Sequence, residues 1–307
     1  MSFSQLFPIF ANNVLPIMLI SLIGFLLGRA IQIDSRSIGR ISFYLFNPIL
    51  VFNIMLTNRL PWAEMASTGL LALLVTLGSG LIAYAGAKAM KFDRRTTVSS
   101  LLTAMFANNG NYGLPLIAFA FGEAALSHAS LYFVSSSLIT NSLGVLLASM
   151  GKMGVRQAFF GIFRIPTIYA VCAALLINHF GVSLPLPVER SIGILTGAAV
   201  PLMIVLLGLE LSSIRWTRSF KALSLSTAVR LIAGPLMGFG IGSLVGLQGV
   251  GLQAGVVDAS MSAAVVNANL ASEYELDTSL VAATILVSTL LSPLTLTPLI
   301  MILGKVA

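Results

Sequence analysis

Charge is scarce in this chain: of 307 residues only 9% are Asp, Glu, Lys or Arg, against about 25% in a soluble domain. So little polar surface cannot cover a folded core of this size in water, which excludes a water-soluble globular protein and makes lipid the solvent. Cysteine is nearly absent. The one copy, Cys172, sits in an apolar run, so no intrachain disulfide can form and redox chemistry is disfavoured. Two histidines, His128 and His179, are too few for a His-rich metal site, and no metal or other cofactor is expected. No Gly-x-x-x-x-Gly-Lys-[Ser/Thr] loop and no long polar insertion occurs, so neither ATP binding by that route nor an extramembrane catalytic domain is expected.

What the chain has in quantity is apolar sequence, at 57%. Apolar windows fall at 8–30, 38–57, 64–88, 96–121, 124–150, 162–180, 188–211, 219–246, 251–272 and 278–304, each close to the roughly 20 residues a helix needs to cross a bilayer. The expectation is an all-α membrane protein of ten spans. The first stretch, Phe7 to Leu27, has no basic run before it and is too long for a signal-peptide core, so it reads as the first span.

The formal charge of +7 would suggest nucleic acid in a soluble protein, but placement points to topology instead, and no nucleic-acid partner is expected. Arg29, Arg36 and Arg40 follow the first span, and Lys88, Lys91, Arg94 and Arg95 the third. Lys152, Arg156 and Arg164 follow the fifth, and Arg215, Arg218 and Lys221 the seventh. These odd-numbered loops hold 13 of the 17 basic residues, which places them in the cytoplasm and both termini outside. The acidic ninth loop, Glu273, Glu275 and Asp277, reads as support for this orientation.

A basic loop after the fifth span suggests two five-helix halves inserted in opposite senses, 1–155 and 156–307. Pro16 is matched by Pro166 and Pro48 by Pro201, at offsets of 150 and 153, whereas Pro115 plus 147 lands on Ser262. Inverted repeats are a signature of secondary transporters.

The segment Asn108-Asn109-Gly110-Asn111-Tyr112-Gly113-Leu114-Pro115 lies in the middle of the fourth span. Its glycines, asparagines and proline remove helix propensity and a backbone donor together, so the helix should break there. Unwound backbone at membrane depth is tolerated only inside protein or along a cavity, where the amides of Asn108, Asn109 and Asn111 and the Tyr112 hydroxyl could meet a polar ligand. A plain proline kink is the bland alternative. The counterpart in the ninth span runs from Asp258 to Asn269 and carries Ser260, Ser262 and Asn267 among small residues. Asp258 is the only carboxylate well inside a predicted span. It is a candidate carrier of H⁺ or Na⁺, or a structural pair for Arg230. Arg230 itself could attract an anion or snorkel toward the headgroups. Asn47-Pro48 and Val200-Pro201 read mainly as kinks flanking the broken helices.

Phe46-Asn47-Pro48-Ile49-Leu50-Val51-Phe52, Asn108 through Leu116, Val200-Pro201-Leu202 and Ala268 through Tyr274 together resemble the auxin efflux carrier family, over essentially all ten spans. The resemblance implies two inverted five-helix repeats with crossover breaks in helices 4 and 9. It implies a scaffold of helices 1, 2, 6 and 7, and a moving transport domain of helices 3–5 and 8–10. It also implies transport of organic anions, dicarboxylates among them in bacteria, with Asn108 at the position of the substrate-contacting asparagine. One departure is Ser262, where the family usually has proline; a second break must then rest on serine and small neighbours. The short join between the fifth and sixth spans fits a compact bacterial carrier in the inner membrane.

The reading is therefore a secondary active transporter of small organic anions. Asn47, Asn108, Asn109, Asn111, Tyr112, Pro115, Ser260, Ser262 and Asn267 are the candidate substrate site, and Asp258 and Arg230 the coupling or charge pair. The lipid bilayer and the anion are the expected partners, and a homodimer is left open. A sodium symporter of the bile-acid type is the alternative, ahead of a channel or membrane sensor. An enzyme is not expected: an intramembrane aspartyl protease needs two carboxylates, and Leu77-Gly78-Ser79-Gly80 reads as a packing face.

Overall fold

The computed structural model describes residues 3–31, 33–57, 60–149, 162–212 and 216–305. Arg59, Lys152, Arg156 and Arg215, and the expected boundary at 155/156, lie outside the described residues. Among those described the chain is helical, with no strand beyond an isolated bridge. The helices are α1 (Ser4–Ile31), α2 (Ser35–Thr57), α3 (Trp62–Ala89), α4 (Arg94–Met105), α5 (Asn109–Ala148), α6 (Pro166–Phe180), α7 (Leu186–Ser212), α8 (Phe220–Leu244), α9 (Gly249–Ala259), α10 (Val266–Glu273) and α11 (Thr278–Leu303). Seven of them (α1, α2, α3, α5, α7, α8 and α11) are long and apolar enough to cross a membrane.

Proline shapes these helices through the carbonyl it cannot serve. Widened π-turns at Phe10–Val14, Ser42–Phe46, Asn109–Gly113 and Val229–Ala233 each end two residues before a proline, at Pro16, Pro48, Pro115 and Pro235. The missing N–H and the ring's clash with the carbonyl four residues back open the preceding turn by one residue. In α5 the chain reverses at Gly122, where φ is 76° and ψ −167°, a region open essentially to glycine alone. The fourth and fifth predicted spans are therefore the two arms of α5, the first arm preceded by α4.

Close backbone contact joins α1 to α7: a Cβ on Gly208 would overlap the Ser21 carbonyl, and one on Gly24 the Val205 carbonyl. Helix α2 packs on α6 and α7, while α3, α4, α5, α8, α9 and α11 pack among themselves. On one face Arg95 Nη2 donates to the Leu276 carbonyl at 2.9 Å, and Phe92 packs over Ala222, Leu223, Leu280 and Ala283. The acidic ninth loop thus shares a face with the basic third loop. This corrects the expectation that its charge supports the orientation: the loop sits at the same end as the arginines, and acidic residues carry little weight in that rule.

Both the fourth and the ninth predicted spans are broken, and the breaks cross. Helix α4 stops at Met105 and α9 at Ala259. The extended pieces pair antiparallel: the Asn108 N–H donates to the Ser262 carbonyl and the Ala264 N–H to the Phe106 carbonyl, both at 2.9 Å, bridging Ala107 and Ala263. The Asn267 side-chain amide donates to the Phe106 carbonyl at 3.1 Å, and the Ala263 N–H donates to Ser288 Oγ at 3.1 Å. The ninth span therefore breaks without a proline.

Arg230 of α8 reaches the two helix ends together. Its Nε donates to the Met261 carbonyl (3.0 Å), Nη2 to Ala259 (2.7 Å), and Nη1 to Ala104 (3.0 Å) and Met105 (3.3 Å). The side chain is 1% exposed. A guanidinium offers five donors in a fixed fork and keeps its charge, and the C-terminal end of each helix carries the negative pole of its dipole. One cation thereby caps two half-helices whose last carbonyls have no water to turn to. Arg230→Leu should destabilise the protein by roughly 3–5 kcal/mol, since several buried carbonyls lose their donors at once. Arg230→Lys, with a point charge and no fork, should recover only part of that. Denaturant unfolding in detergent checks both, and a Leu variant as stable as the parent would remove Arg230 from this role.

Candidate functional site

The ends of the half-helices that Arg230 does not hold face the opposite way, into a cleft of about 1170 Å³. The first residues of α5 (Asn109, Gly110 and Asn111) and of α10 (Val266 and Ala268) line it, with Asn108 and Ala264 of the crossing strands. Two helix N-termini at one cavity present the positive poles of their dipoles, the arrangement that attracts anions. The opposite wall comes from α2 and α7: Arg36, Arg40, Asn47, Leu206 and Glu210. Asp34, Arg36, Glu273 and Ser279 stand at the mouth, so the cleft opens on the basic-loop face. There Asp34 caps α2, and the Ser37 hydroxyl together with the Arg36 and Ser37 amides holds its carboxyl below the ordinary range.

The structure brings four of the expected substrate residues to this cleft, namely Asn47, Asn108, Asn109 and Asn111. Asn108 is 5% exposed and its Nδ2 makes no hydrogen bond. Asn111 Nδ2 donates to Glu210 Oε2 at 3.3 Å. Asn109 is occupied: its Nδ2 donates to the Asp258 carbonyl (2.8 Å) and Oδ1 (3.1 Å), and its Oδ1 accepts from Ser136 (3.0 Å). Asn47 Oδ1 accepts from Ser42 at 3.1 Å.

The other expected residues lie in the packing behind the cleft. Tyr112 shares a 3.0 Å hydrogen bond with Ser292 of α11, Ser260 bonds the Val256 carbonyl of its own helix, and Ser262 accepts from Thr289. Pro115 and Asn267 are buried. Asp258 is fully buried, with Gly113 so close that a Cβ there would lie 2.7 Å from Oδ1; Oδ2 has no hydrogen-bond partner. No ion pair joins Asp258 to Arg230 among the described residues.

Glu210 is the lining residue that the sequence pattern did not single out. It falls at the last turn of an apolar window, where an acid reads as a boundary residue. Ser136, Thr140 and Asn141 of α5 also line the cleft, and as scattered polar residues in an apolar stretch they leave no pattern to find.

The family model described as "Membrane transport protein" matches residues 149–301. An uncharacterized transporter of Methanothermobacter thermautotrophicus is 31% identical over 287 residues, covering 92% of this chain and 94% of that protein. Uncharacterized transporter MJ1031 of Methanocaldococcus jannaschii is 25% identical, covering 91% and 94%. A Rhizobium meliloti protein named "Putative malonate transporter" is 27% identical, covering 94% and 93%. A match of this length, on a helical chain with seven helices able to cross a membrane, shows a multi-pass transporter and not an enzyme: the chain belongs to the membrane transport protein family, that of the auxin efflux carriers.

Proposed function

We propose that the protein is a secondary carrier that moves small organic anions, carboxylates foremost, by alternating access at the crossing of the two broken helices. The observation that carries this reading is the Asn108 amide: buried at the cleft and without a hydrogen-bond partner, beside two helix N-termini that favour negative charge. Asn108 and Asn111 would donate to a substrate carboxylate, and the break before Pro115 keeps their amides in the cleft. The name of the Rhizobium relative supports a small dicarboxylate.

Ten passes in two inverted halves remain our reading of the architecture. Exchanging the halves maps the α1–α7 packing onto α6–α2, and the packing of α9 on α5 onto that of α4 on α11; each of these contacts occurs. On this reading α1, α2, α6 and α7 are the scaffold, and the remaining helices move. The basic-loop face is the cytoplasm of a bacterial inner membrane, with both termini outside, so the cleft faces inward.

Asp258 is the coupling group in this proposal, carrying H⁺ or Na⁺ behind the crossover and signalling through Asn109. The bile-acid-type alternative differs in requiring Na⁺, which binding of radiolabelled carboxylate with and without Na⁺ decides.

In proteoliposomes, Asn108→Ala should raise KM for a transported carboxylate about tenfold or more, the worth of one to two hydrogen bonds to a charged group. Unchanged saturable uptake would remove Asn108 from the site. Asp258→Asn should keep exchange while losing the dependence of net uptake on pH or Na⁺; wild-type dependence on both would end the coupling assignment.

A further inference from the structure

A side-chain carboxyl group already stands at the amide to which the proposed function gives the substrate. Glu210 Oε2 lies 3.3 Å from Asn111 Nδ2. The two residues belong to different bodies in that reading: Glu210 to α7, which packs closely along α1, and Asn111 to the first turn of the crossover helix α5. Both face the cleft. We infer that Glu210 is an internal competitor for the substrate's carboxylate, holding Asn111 in the empty carrier and yielding it to the incoming anion.

The inference rests on the carrier reading and adds two properties to it. First, part of the binding energy of a substrate goes into displacing Glu210, so its apparent affinity is lowered by the fraction of carriers in which Asn111 is held. Second, the Glu210–Asn111 contact ties the crossover to α7 until a carboxylate replaces it, so the loaded carrier reorients more freely than the empty one. The protein should therefore exchange anions faster than it moves them net.

Glu210, when ionised, would also lower affinity through simple repulsion, and the experiment must separate the two causes. Uptake of [14C]malonate into proteoliposomes is measured for wild type, Glu210→Ala, Asn111→Ala and the double variant, with malonate or buffer inside. Competition at Asn111 predicts that Glu210→Ala lowers KM about tenfold in the wild-type background and less than twofold in the Asn111→Ala background. It also predicts a smaller ratio of exchange to net uptake. Glu210→Gln, which keeps an acceptor opposite Asn111 without charge, should fall between Glu and Ala. Equal KM changes in both backgrounds, with Gln behaving as Ala, would reduce Glu210 to a repelling charge and overturn the inference. An unaltered KM and exchange ratio in Glu210→Ala would overturn it too, leaving the carrier reading in place. Absence of saturable malonate uptake by the wild type would remove both for this substrate. Where Asn111→Ala folds poorly, Asn111→Ser takes its place in the cycle.

Discussion

Two helices that end inside the packed bundle leave carbonyls that water cannot reach, and the rest of this structure depends on how those carbonyls are satisfied. Arg230 does it for both helices at once. Its guanidinium meets Ala104 and Met105 at the end of α4, and Ala259 and Met261 at the end of α9. The cost of burying a charge is offset by four acceptors at the negative poles of two dipoles. With those ends fixed on one side, the opposing half-helices must begin on the other. That is where their N-terminal turns and the asparagines Asn108 and Asn111 meet the cleft.

The arrangement separates charge by function. The positive side chain is spent on backbone and is closed off, while on the proposed function the attraction for an anion comes from helix poles, neutral amides and Arg36 and Arg40 of α2. Neutral donors suit a carrier, because a substrate held by full ion pairs in a dry site would leave slowly. Behind the crossover, Asn109 links Asp258, Ser136 and the first turn of α5 in one buried network. Asp258 thus contacts the same turn that carries Asn111 and follows Asn108 at the cleft.

Local chemistry made the first break readable: Asn-Asn-Gly-Asn-Tyr-Gly before a proline cannot continue an ordinary helix, and the structure widens it into a π-turn after an extended strand. The second break was not readable in the same way, because Ser262 replaces the proline and small residues alone do not forbid a helix. What breaks it is distant in sequence: the paired extended segment at Phe106–Asn108, the Ser288 acceptor and Arg230. The depth of Arg230 followed from its position in an apolar run, but its partners, being carbonyls, have no side-chain signature. Polar side chains such as Tyr112, Ser260 and Asn267 looked like ligand groups, but each bonds a neighbour within the packing, as most buried polar groups do. Glu210 shows the converse, an acid at the edge of a window that folding turns into the cleft.

On the proposed function the crossing of the two broken helices is the carboxylate site. The most direct test is to locate a bromine-labelled dicarboxylate by anomalous scattering in crystals of the full chain. The bromine peak is expected in the cleft between α5 and α7, with a carboxylate within hydrogen-bond distance of the Asn108 and Asn111 amides. A peak elsewhere, with these amides untouched at saturating ligand, would contradict it.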